Sequence, residues 1–135
     1  LSELVTAAGG IPVGCSGYLL LSPPALMPDT EPWVVLGGVV SLVIFAAFTE
    51  EFLFRGLLQG VTIDVLGRSR LGVLYAAMMA AVMYLGSGSP PYTLAVGFYG
   101  LLLGVTIVRG GSVWGATASH SLALIGMAFV WPALI

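Results

Sequence analysis

Glu50, Glu51, Arg55 and His120 are the residues of this chain whose types and spacing could do chemistry. The first three fall in Thr49-Glu50-Glu51-Phe52-Leu53-Phe54-Arg55, inside an otherwise apolar run. A carboxylate or guanidinium at the centre of a membrane helix costs about 2.5–3.5 kcal/mol on insertion scales. Three together imply a buried polar site facing the interior of a helical bundle. Glu51 and Arg55 are four apart, so they share a helix face and can pair in the favourable orientation. Glu50 lies about 100° further round the helix, with no evident local partner. A carboxylate desolvated without a cationic partner can serve as a general base. The plainer reading is that all three bridge helices.

His120 is the single histidine, in Ala118-Ser119-His120-Ser121. A lone histidine in an apolar chain is commonly a hydrogen-bonded core residue. An ionisable group inside a membrane generally has a partner, and Glu50 or Glu51 is the natural one here. Thr49, Thr117, Ser119 and Ser121 could add hydrogen bonds. One His and two Glu could also ligate Zn²⁺. The chain has no HExxH, so the reading assigns no metal and no cofactor.

The elements that must position these residues are membrane helices. Of the 135 residues, 59% are hydrophobic and 7% charged, with a mean hydropathy of +1.08. That suits one compact membrane domain without a separate soluble one. The chain begins at Leu1 rather than Met, so its natural N-terminus is expected upstream, and a signal peptide or earlier helix is neither implied nor excluded. There is no lysine, and the net charge is −2, which argues against nucleic acid as a partner. Cys15, the one cysteine, permits no internal disulfide or thiolate cluster and reads as apolar packing.

Residues 1–32 are broken up by Gly9, Gly10, Pro12, Gly14 and Gly17, and read as a partial helix or interfacial segment. A loop with Pro23, Pro24, Pro28, Asp29, Glu31 and Pro32 follows. Residues 33–135 read as the core, an all-α bundle of four spans near 33–65, 71–88, 92–108 and 112–135. The first is about 50 Å long at about 1.5 Å per residue, against a hydrocarbon core of about 30 Å. It must therefore tilt, kink or leave the bilayer after Arg55. Short connections make successive helices antiparallel. Arg68, Arg70 and Arg109 then share one face, which the positive-inside rule places in the cytoplasm. Trp33, Tyr92 and Trp131 fall at the outer boundary and Trp114 at the inner one. Gly100 and Gly104 form a GxxxG. Ala76/Ala80, Ala77/Ala81 and Gly115/Ser119 are small-residue pairs that suit close packing.

Glu50-Glu51-Phe52-Leu53-Phe54-Arg55-Gly56 resembles the EExxxR motif of the CPBP intramembrane proteases. That family includes CAAX prenyl proteases of the Rce1 type and bacterial bacteriocin-immunity (Abi) proteins. The resemblance continues through Tyr99-Gly100-Leu101-Leu102-Leu103-Gly104, Arg109-Gly110-Gly111-Ser112-Val113-Trp114 and Ser119-His120, over roughly residues 33–130. It implies a helical core with a membrane-embedded site. The first glutamate would activate water, and histidines and an asparagine would complete the site, by a metal-dependent or a metal-free mechanism. Two positions depart from the pattern. Gly88 stands where the FxxxH motif has its histidine, in Tyr84-Leu85-Gly86-Ser87-Gly88. Leu124 stands where HxxxN has its asparagine, in His120-Ser121-Leu122-Ala123-Leu124.

Two polar contributors are thus missing. Losing one transition-state donor typically costs about 10²–10³ in rate. The expectation is a catalytically degenerate member of this family, in the bacterial inner membrane. Its partners would be the bilayer and other membrane-protein subunits, for which it would act as an accessory or scaffold. Glu50, Glu51, Arg55 and His120 would then hold helices together. The alternatives are an active endopeptidase with Glu50 as base, and an immunity or maturation factor that binds a peptide without cutting it.

Overall fold

A computed structural model describes residues 2–24 and 31–135. Pro28 and Asp29 of the expected proline-rich loop lie outside the described residues. Among the described residues five helices are long and apolar enough to cross a membrane: α1 (Glu3–Leu21), α2 (Pro32–Leu66), α3 (Ser69–Ser87), α4 (Pro90–Val108) and α5 (Val113–Leu134). The fold is all-α and membrane-type as expected, with one more span than the four read from sequence.

The additional span is α1. Its glycines and Pro12 read as breakers, yet they make its contact surface. A Cβ on Gly10 would collide with the Ser119 carbonyl, and one on Gly14 would lie 2.6 Å from the Ala123 oxygen. A Cβ on Gly17 would lie 2.7 Å from the Met127 side-chain sulfur. The helix lies parallel to α5 at a separation that only glycine permits. Its one irregularity is a turn at Gly9, where Pro12 withholds a backbone donor from the preceding turn.

Helix α2 neither breaks nor leaves the bundle after Arg55. It stays helical from Pro32 to Leu66 by widening twice into π-type turns, over Leu42–Phe48 and Phe52–Leu58. The three residues between them are Thr49–Glu51. Such π segments are frequent at functional sites, because they change the direction in which side chains leave the helix. Ala47 is fully buried, and Phe48 stacks on Trp114 of α5 with centroids 5.4 Å apart. The earlier stretch Pro32–Ser41 has no buried residue.

Helix ends carry ordinary signals. Gly67 closes α2 with φ 64°, in the left-handed region that favours glycine. Ser89 and Ser112 cap α4 and α5, accepting from the Tyr92 and Gly115 amides. Helix α3 buries Ala76, Ala77 and Ala80 and packs against both α2 and α4, with Ala77 beside Gly100.

The glycines of α4 do more than admit a neighbouring backbone. A Cβ on Gly100 would lie 2.9 Å from Arg55 Nη2, and one on Gly104 would lie 2.7 Å from Gln59 Oε1. The GxxxG is a notch that receives two polar side chains of α2. Tyr92, in the first turn of α4, is buried, with its ring edge-on to Tyr84 at 5.8 Å. Trp33 and Trp114 are exposed.

Candidate functional site

Glu51 is at the centre of the polar cluster. It is completely buried, and its Oε1 receives hydrogen bonds from Arg55 Nη1 at 3.1 Å and His120 Nδ1 at 2.8 Å. The first follows from helix geometry, one turn apart. The second joins α2 to α5 across 69 positions. The sequence left Glu50 and Glu51 both open as partners of His120, and the structure places Glu51 there. With Nδ1–H directed at a carboxylate, Nε2 is the nitrogen left to accept a proton.

Glu50 is not without a partner, as its sequence context suggested. The Tyr84 hydroxyl donates to it, 2.9 Å from Oε2 and 3.1 Å from Oε1. The two adjacent carboxylates therefore serve different helices, Glu50 facing α3 and Glu51 facing α5. The sequence placed Tyr84 at the aromatic position of the FxxxH-like stretch and gave it no partner. The signal available was its hydroxyl, since a buried phenol usually finds a partner.

Gln59 was also missed. It follows Arg55 by four and Glu51 by eight, extending the same polar stripe. It is 2% exposed, and its Nε2 donates to the Gly104 carbonyl at 3.1 Å. An amide in an apolar span was signal enough. Across the cluster, Tyr99 donates to Ser119 Oγ at 2.8 Å and sets its ring perpendicular to His120, 6.2 Å between centroids.

The family-model comparison matches residues 32–125 to type II CAAX prenyl endopeptidase Rce1-like proteins. The chain belongs to that family. Neither the comparison with curated proteins nor that with solved structures gave a match. The Rce1-like region includes Glu50, Glu51, Arg55, Tyr84 and His120. All of α1 lies before it.

That helix covers a cavity of about 280 Å³ between α4 and α5. Its walls include Pro12, Val13 and Ser16 of α1, Tyr92 and Tyr99 of α4, His120, Leu124 and Met127 of α5, and Tyr84. His120 thus reaches the cavity with its other side on Glu51. Leu124, four residues on from His120, gives that wall an apolar side chain. Gly88, four residues on from Tyr84, is not part of the cavity wall. It ends the turn after α3 with φ 70°, it is exposed, and a Cβ there would meet nothing within 4 Å.

The metal-dependent mechanism can be weighed against the donor set. Among the described residues, no three His, Cys, Asp or Glu converge. His120 and Glu51 are in contact, but Arg55 lies on the same Glu51 oxygen, where its guanidinium would repel a divalent cation. These residues do not fit a zinc site.

Several buried polar atoms have no partner among the described residues, including Glu51 Oε2, Gln59 Oε1, Thr117 Oγ1 and Ser121 Oγ. Orphans of this kind mark places where internal water satisfies the protein.

Proposed function

We propose that this Rce1-like protein is catalytically degenerate and serves as an accessory or scaffold subunit of a larger membrane complex. We place it in the bacterial inner membrane with Arg68, Arg70 and Arg109 on the cytoplasmic side. The reading rests on how the two glutamates are engaged. Tyr84 holds both oxygens of Glu50, and one oxygen of Glu51 holds both Arg55 and His120. The cluster ties α2 to α3 and α5. It leaves Glu50 without a second group to help it orient water, since Gly88 stands on an exposed turn and Leu124 is apolar.

The test is turnover of a farnesylated CAAX-type peptide by purified protein, compared with Glu50→Gln and Glu51→Gln. The expected result is no wild-type cleavage above the two variants, with co-purifying membrane subunits retained in mild detergent. Robust wild-type cleavage that disappears in Glu50→Gln would overturn the reading.

One observation favours the active alternative. Glu51 behind His120 Nδ1 is an orienting carboxylate for an imidazole that borders a cavity, the arrangement that makes histidine a general base. If cleavage is found and His120→Ala abolishes it while Glu50→Gln only weakens it, the base is His120 and Glu50 is secondary.

A further inference from the structure

We propose that the end of the bundle carrying the arginine loops holds an anionic diacyl phospholipid, with its phosphate at Arg70 and Arg109 and one acyl chain between α3 and α4. The two arginines come from different connections, yet both border one groove of about 370 Å³. Its remaining lining is Ser69 together with Val73, Leu101, Val105 and Val108. Cationic groups stand at one end of an apolar trough.

Among the described residues neither guanidinium has an acidic partner. The ion pairs among the described residues are those of Glu51 with Arg55 and His120. Of the acids near this end, Glu3 receives the Ser112 hydroxyl, and Asp64 does not line the groove. Arg68 at the start of α3 supplies no side-chain acceptor. The first-turn amides of Ser69 and Arg70 therefore remain open beside the groove, adding donors and the positive helix end.

The occupant must satisfy both halves of this surface. Free phosphate would use the arginines and leave the valine and leucine wall untouched. A zwitterionic lipid would fill the wall but bring its own cation to the arginines. An anionic lipid complements both, as do the basic pockets between membrane helices that hold acidic headgroups. Arginine also suits the phosphate geometrically, through paired N–H donors.

The experiment is native mass spectrometry of the full chain in detergent, titrated with phosphatidylglycerol, phosphatidylcholine or inorganic phosphate. Wild type should retain phosphatidylglycerol over phosphatidylcholine. Arg70→Gln and Arg109→Gln should each weaken it by about fivefold, the scale expected for one basic residue at an anionic surface. Val105→Trp, which fills the trough without altering charge, should weaken it as well. Arg68→Gln, a basic residue outside the groove, should leave it unchanged. Equal weakening by Arg68→Gln would overturn the site in favour of diffuse charge. Binding indifferent to Val105→Trp, or inorganic phosphate retained as strongly as the lipid, would also overturn it.

Discussion

Two donors converge on a single oxygen of Glu51, and among the described residues neither donating atom has a second acceptor. Arg55 is 5% exposed and Glu51 is fully buried. Removing one charge from such a pair leaves the other uncompensated at low dielectric, a loss of about 3–5 kcal/mol. Arg55→Met should therefore lower thermal stability in detergent strongly. The double variant Glu51→Gln/Arg55→Met should recover much of that loss, because no unpaired charge remains. A wild-type melting profile in Arg55→Met would remove the structural role assigned to the pair. The pair itself was legible from the four-residue spacing. The choice between Glu50 and Glu51 as partner of His120 was not, because adjacent residues on a helix differ only in direction. That direction is set here by π-type turns on either side, which leave no pattern in the residue types. Tyr84 was hidden for another reason: its partner lies 34 positions away.

At the scale of elements, α1 shows how composition can mislead. Glycine and proline weaken a helix in water, so Gly9 to Gly17 read as an interruption. In a membrane the same glycines let two backbones approach, and that contact holds α1 on α5. The prediction contrasts two glycines. Gly14→Ala puts a methyl group against the Ala123 backbone, with contacts of 2.6 and 2.9 Å that no side-chain rotation relieves. It should destabilise by about 1–3 kcal/mol, the usual range for overpacking. Gly60→Ala on α2 meets nothing within 4 Å. It should be neutral or stabilise by up to about 1 kcal/mol through helix propensity. Thermal unfolding of both variants in one detergent checks this, and equal effects would mean that α1 is not packed on α5 as described. The paired-residue patterns on α3 and α4 located real contacts. Sequence could not show that the α4 notch accommodates Arg55 and Gln59, because small residues do not reveal what fills the space beside them.

For the whole molecule, the order of spans follows from neighbour relations that the sequence only partly contained. Gly10, Gly14 and Gly17 meet Ser119, Ala123 and Met127 in rising order, so α1 and α5 run the same way. Arg55 and Gln59 meet Gly100 and Gly104 in rising order, so the inner part of α2 runs with α4. Arg70 and Arg109 border one groove, so the α2–α3 and α4–α5 connections lie at the same end. Loop parity had already grouped these arginines, because a short connection admits one sense of reversal. A fifth span preserves that grouping, since it precedes α2 and changes only where the N-terminal end emerges. The sidedness can be measured with single cysteines in a Cys15→Ser background. Ser69→Cys and Val108→Cys report the arginine end, and Ser87→Cys reports the other, all at positions with exposed side chains. A membrane-impermeant maleimide should label Ser87→Cys in intact cells. It should reach Ser69→Cys and Val108→Cys only after permeabilisation, because excess arginine is retained on the cytoplasmic side. Inverse labelling of all three would leave the fold intact and reverse its orientation. Ser69→Cys and Val108→Cys labelling from opposite sides would refute the alternating order of helices itself.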